Sequence, residues 1–245
     1  MTALSYSYYG LDEMFGSPAM LLLLAALAIM VVGMIAQARV TSTFKKYSSV
    51  YGSAGVTAAE AARNILYSNG SNVRVNMING SLTDNYNPRS GCVSLSEAVY
   101  PSTSVAAIAV AAHECGHVMQ YEQGYAAIKL RNFLLPAANF GSKFSYLLVI
   151  GGLFLGSLGY YVSLVGVVLF GFALVFQLIT LPVELNASRR ALDMLTAAGY
   201  ITGAEEENAA RKVLRAAAFT YLVAALSAAV TFLRLLTIAS SGRRR

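Results

Sequence analysis

Residues 144–183, FSYLLVIGGLFLGSLGYYVSLVGVVLFGFALVFQLITLPV, contain no charged side chain and no histidine. A helix needs about 20 apolar residues to cross the hydrocarbon core of a bilayer, and this run is about twice that length. Gly156, Ser157, Gly159 and Ser163 give it a place to break. The stretch therefore reads as two antiparallel spanning helices joined by a short turn. Outward from it lie two more uncharged runs, residues 14–38 around Leu21 to Leu24, and residues 216–233, which end at Arg234. Four spans are expected.

Composition agrees. Of 245 residues, 56% are hydrophobic and 12% are charged. Soluble domains run near ~25% charged, so an ordinary cytosolic globule is excluded. Disorder is excluded by the same aliphatic content. Two cysteines, Cys92 and Cys115, exclude a disulfide scaffold. The net charge of +6 comes largely from residues flanking apolar runs, such as Arg39, Lys45, Lys46 and the terminal Arg243, Arg244 and Arg245. That placement suits a lipid bilayer and not nucleic acid. Ala36-Gln37-Ala38 resembles a signal-peptide cleavage site, but Asp12 and Glu13 stand where a positive region belongs, so the first span is read as retained.

The positive-inside rule puts the N-terminus outside and the segment after Arg39 in the cytoplasm. The expected organisation is an N-terminal segment and first span (1–39), a cytoplasmic catalytic segment (40–143), a spanning hairpin (144–183), cytoplasmic helices (184–215) and a C-terminal apolar helix with a basic tail (216–245). The rule and a fourth full span conflict at that tail, which would lie outside.

Thr57-Ala58-Ala59-Glu60 is a capping box opening a helix that should stop at Gly70. Short alternating stretches at residues 73–77 and 92–95, separated by a segment rich in Asn, Pro and Gly, predict a small antiparallel sheet. Pro101 and Ser102 should open an Ala-rich helix running to about Gln123. Residues 125–140 read as an amphipathic stretch at the membrane surface, and residues 184–198 as a helix of their own. Thr202-Gly203-Ala204-Glu205 looks like a second capping box. The fold class is mainly α, an integral-membrane protein with a small antiparallel sheet.

His113 and His117 are the only histidines of the chain and stand four apart with Glu114 between them. One helical turn puts both imidazoles on one face, where they can share a metal ion. Glu114 is then placed as a general base beside the ion, not as a ligand. Cys115 points elsewhere and reads as packing. A catalytic zinc needs a third protein ligand and one open position. Without a third histidine that ligand must be a carboxylate, and Asp84, Glu97, Glu122, Asp193 and Glu184 are the candidates. Glu184 is preferred because a carboxylate among Leu181, Pro182, Val183 and Leu185 needs a reason. A charge favoured at a helix N-terminus explains it equally well.

Together, His113-Glu114-Cys115-Gly116-His117-Val118-Met119-Gln120, Val105-Ala106-Ala107 and Leu181-Pro182-Val183-Glu184-Leu185-Asn186-Ala187-Ser188 resemble the YugP-type bacterial membrane zinc metallopeptidases. The likeness extends to Thr43-Phe44-Lys45-Lys46-Tyr47 and to Lys212-Val213-Leu214-Arg215-Ala216-Ala217. It implies a zinc peptidase of the bacterial cytoplasmic membrane with a zincin-like part, whose active site the positive-inside rule places on the cytoplasmic side. A more distant similarity to gluzincins with a Glu-x-x-Ala-Asp motif assigns Glu184 as third ligand. Ser188 stands where that motif has Asp, and a hydroxyl orients a ligating histidine more weakly. In those relatives a further His or Arg acts near the transition state; here Arg189, Arg190 and several tyrosines are candidates.

The mechanism implied is hydrolysis of a peptide bond by zinc-activated water, with Glu114 as general base. Residues 92–95 are the candidate edge strand for a peptide substrate. Membrane-protein quality control or processing is the expected work, alone, as a homo-oligomer or within a membrane complex. Two rivals remain. An intramembrane protease would sink the motif in a span, but Glu97, Glu122 and Lys129 bracket too short a stretch. A catalytically silent zinc-binding adaptor would fill four protein ligands.

Overall fold

The computed structural model describes residues 18–241. In chain order the elements are α1 (Pro18–Tyr47), α2 (Ala58–Ser68), β1 (Arg74–Ile78), β2 (Asn85–Asn87), β3 (Cys92–Ser96), α3 (Val105–Glu122), α4 (Ala126–Gly152), a 3-10 turn (Gly156–Leu158), α5 (Gly159–Ala197) and α6 (Ala204–Ser241). Among the described residues four helices are long and apolar enough to cross a membrane: α1, α4, α5 with its leading turn, and α6. The protein is a mainly α integral-membrane protein with a small three-stranded sheet. Asp12, Glu13, the first residues of the N-terminal apolar run and the arginine tail lie outside the described residues.

Two compact units divide the chain. The first comprises Met1–Met34, Arg131–Ile179 and Leu222–Arg245. Its α4–α5 hairpin turns where the glycines and serines predicted a break. Small residues let the two backbones meet. A Cβ added at Gly141 would lie 2.1 Å from Leu169 O, and one at Gly166 2.8 Å from Ser145 O. Ser163 donates to Val149 O at 3.0 Å. Lipid offers no hydrophobic driving force between helices, so close approach and dispersion must hold such a pair. Leu147, Val165 and Val168 stay exposed, as lipid-facing side chains do.

The second unit comprises Ile35–Leu130 and Thr180–Tyr221. Its core gathers α2, the sheet, α3 and the adjoining parts of α5 and α6 around Ile65, Leu66, Leu95, Ile108 and Leu195. The Thr57 capping box is present: its hydroxyl accepts from Glu60 N–H at 3.2 Å while Glu60 accepts from Thr57 N–H at 2.8 Å. Alanines on several faces of α3 let it pass through the middle of this core. Ser104, not Pro101, caps α3, its hydroxyl accepting from Ala107 N–H at 3.3 Å. The helix ends before Gly124, whose φ of +70° is open to glycine.

Several local expectations change. The sheet has the order β1-β3-β2 and is mixed, with β1 parallel and β2 antiparallel to β3. β3 is therefore the central strand, with both edges of its backbone already paired, and it is not the free edge. All of residues 125–140 but Tyr125 belong to α4, which runs through Pro136 to Gly152. Residues 184–198 are not a separate helix, because α5 continues through Pro182 to Ala197. Proline removes one backbone donor, a loss that spanning helices tolerate when neighbours compensate. At the start of α6 the carboxylate that accepts from Thr202 N–H, at 3.0 Å, is Glu206, not Glu205; Glu206 also accepts from Ser53 N–H at 2.7 Å.

Candidate metal centre

His113 and His117 leave α3 one turn apart, their rings edge to face with centroids 4.8 Å apart. Glu184 enters from α5. Its Oε2 lies 3.3 Å from His113 Nε2 and 3.4 Å from His117 Nε2. One ligand atom from each residue lies within 4.8 Å of the others. Glu184 is 2% exposed. It sits in the interior of a long helix, so the reading as a charge at a helix N-terminus fails. A buried carboxylate is costly unless paired or bound to a metal, and this one faces two imidazoles.

Gly116 makes the convergence sterically feasible. A Cβ added there would stand 2.6 Å from Ala187 O. The backbones of α3 and α5 touch at this point, on the side where the histidines must reach Glu184. Gly116→Ala should force them apart, destabilising the protein by about 1–3 kcal/mol, the usual cost of overpacking. The thermal unfolding midpoint in detergent and the zinc content should fall together; an unchanged pair of values would show that the approach does not matter.

Glu114 is 7% exposed. Burial raises its carboxyl above the usual range, against the pull of His117 and His113. For His117 burial acts downward, but hydrogen bonding to Glu184 and the charges of Glu114 and Glu184 leave it raised. Cys115 is buried and its thiol is pushed up by desolvation; its Sγ faces Ala62 O at 3.7 Å, away from the histidines.

The remaining carboxylates do not join the three. Asp84 accepts from Ser96 N–H at 2.7 Å, and burial raises it against those bonds. Glu122 accepts from Ser71 hydroxyl at 2.7 Å, while Glu97 and Asp193 are exposed. Ser188 Oγ stands 3.3 Å from His113 Nδ1, in the place the sequence pattern suggested.

A cleft of about 180 Å³ opens beside His113 and Glu114. Val40 and Phe44 of α1, Val110 of α3, and Val213, Leu214 and Ala217 of α6 form its apolar wall, with Leu82, Asp84 and Tyr221 completing it. Leu82 is held at a φ of +56°, uncommon for a residue with a Cβ. Of the groups considered for the transition state, a tyrosine, Tyr221, lines the cleft. Arg189 is exposed, and Arg190 is engaged with Asn186 and Gln123.

Sequence reasoning assigned no role to Gln120, which is fully buried and whose Oε1 lies 3.0 Å from His117 Nδ1. The signal was present: an amide three residues after a ligand-type histidine, on a helix otherwise rich in alanine.

No solved structure matches this chain. It is 45% identical over 225 residues to a Bacillus subtilis (strain 168) protein named "Putative membrane protease YugP", covering 91% of this chain and 99% of that protein. A family model also matches residues 21–240, and with it the chain belongs to the family described as "Putative neutral zinc metallopeptidase".

Proposed function

We propose that the protein is a membrane-bound, zinc-dependent endopeptidase in which His113, His117 and Glu184 hold the ion and Glu114 is the general base. The observation that carries this is the convergence of the three donor groups on one point beside Glu114, at the head of a cleft. The donor set suits zinc: two imidazoles and a carboxylate leave a fourth position free. Glu184 Oε2 stands 3.3 and 3.4 Å from the two imidazole nitrogens, and the three donor atoms lie within 4.8 Å of one another, close enough to share one ion. A structural site would need a fourth protein ligand, and Cys115 faces away. The silent adaptor is not favoured.

Zinc bound there would supply Lewis acidity toward water and the substrate carbonyl. Glu114 takes the proton that water gives up and returns it to the leaving amine. Its buried setting raises its basicity toward neutral pH, where such a proton carrier works best. Ser188 steadies the His113 ring through Nδ1. The apolar wall of the cleft favours an uncharged, apolar residue next to the bond that is cut. With β3 paired on both sides, the edge for an extended substrate is β2, which directly follows the cleft residues Leu82 and Asp84. The active site faces the cytoplasm, in keeping with Arg39, Lys45 and Lys46 after the first span. Quality control or processing of membrane proteins fits these features.

The test is metal removal. Protein purified in detergent should contain about one zinc per chain, should cleave peptides with apolar residues at the cut, should lose that activity to a chelator and should regain it with zinc. Carefully prepared protein with no zinc, or cleavage indifferent to chelation, would overturn the reading.

A further inference from the structure

Four polar side chains outside the three proposed ligands form a chain between α3 and α5. Gln120 Oε1 lies 3.0 Å from His117 Nδ1. The Gln120 amide nitrogen donates to Val183 O at 2.7 Å and to Asn186 Oδ1 at 3.0 Å. Asn186 Oδ1 also accepts from Arg190 Nε at 2.8 Å, and Arg190 in turn donates to Gln123 Oε1 at 2.5 Å.

The direction of every proton in this chain follows from its two ends. Val183 O is a backbone carbonyl and only accepts; the Arg190 guanidinium only donates. Turning the Gln120 amide over would set its oxygen against Val183 O, two acceptors at 2.7 Å. Turning Asn186 over would set its NH2 against the Arg190 N–H. Both amides therefore have one permitted orientation, and Gln120 presents an oxygen to His117. Nδ1 of His117 must then carry a hydrogen, so Nε2, on the side of Glu184, is the nitrogen that gives up its proton to offer a lone pair to a metal ion. His113 has no such constraint, because the hydroxyl of Ser188 can donate or accept.

We infer that Gln120 is a positioning residue that locks His117 in the Nδ1–H tautomer and aims its Nε2 at the metal position, anchored through Val183, Asn186 and Arg190 on the helix that carries Glu184. The two histidines are thus unequal: His117 is locked and His113 is adjustable. This inference rests on the metal-centre reading above.

The test uses the full-length chain in detergent, with zinc alone as the probe. Gln120→Met keeps the bulk and removes the hydrogen bonds. Its zinc affinity, measured by chelator competition, should fall about 10–100-fold, as for other groups that orient a ligating histidine. Asn186→Ala leaves Gln120 in place with one anchor fewer and should shift affinity the same way by less, so the inference stays testable if the first variant folds poorly. Labelling histidine with ¹⁵N gives only two rings to assign. In zinc-loaded wild type the His117 Nδ1–H should exchange slowly; in Gln120→Met it should exchange fast while the His113 ring is unchanged. Equal change in both rings would mean loosened helix packing and overturn the inference. So would wild-type affinity and spectra in Gln120→Met, even where wild type binds zinc and Glu184→Ala does not. Wild type that takes up no zinc would overturn the metal centre, and this inference with it.

Discussion

Glu114→Gln is expected to lower peptide hydrolysis by about 10²–10⁴-fold, the range for loss of a positioned general base, with zinc content unchanged. The substitution keeps the volume of a side chain that is 7% exposed and removes only its ability to take and return a proton. Glu114 is not one of the three residues whose donor atoms converge, so the ion should remain. Removing a buried carboxyl that burial already raises should not destabilise the fold. The experiment compares kcat/KM and bound zinc, with circular dichroism as the check on folding. Activity surviving in the variant would remove Glu114 from the reaction and require another base. Asp84 would be the first alternative, because it lines the same cleft.

Glu184→Ala should have the opposite signature, with zinc lost first and activity following. Two imidazoles without the carboxylate form a poor site. Affinity should fall by more than the ~100-fold at which removal of a supporting residue tops out. One oxygen of Glu184 stands 3.3 and 3.4 Å from two nitrogens, so its loss removes a donor shared by both histidines. Metal analysis of the purified variant, together with chelator competition, gives the answer. Full zinc retention would move the third ligand to a different carboxylate and overturn the assignment of Glu184. The two variants separate the roles: one should hold zinc and fail to cut, the other should fail to hold zinc.

The features that were legible in the sequence are those set by neighbours along the chain. An uncharged run long enough to span is a local property, and the hairpin of residues 144–183 turns where its glycines and serine fall. The capping box of Thr57 and Glu60 closes over three residues. His113 and His117 share a face because a helical turn is 3.6 residues long, whatever the rest of the chain does. Errors arose where distant segments chose their neighbours. Residues 92–95 read as a strand, and they are one, but only pairing in space made β3 central and β1 parallel to it. Pro182 read as the boundary of a helix. Packing carries α5 straight through it and puts Glu184 in a helix interior.

The sequence by itself determined the class of protein, the number of apolar helices and the paired histidines with Glu114, since apolar length and helical periodicity are written in consecutive residues. The sequence pattern pointed to Glu184 among five carboxylates, but only the tertiary structure decided that it lies in a helix interior against both histidines, that Gly116 must lack a side chain, and that Gln120 touches His117 and reaches Val183 and Asn186. Each of these depends on α3 and α5 coming into backbone contact. That contact joins segments far apart in the chain, and no local pattern of residues encodes a meeting between them.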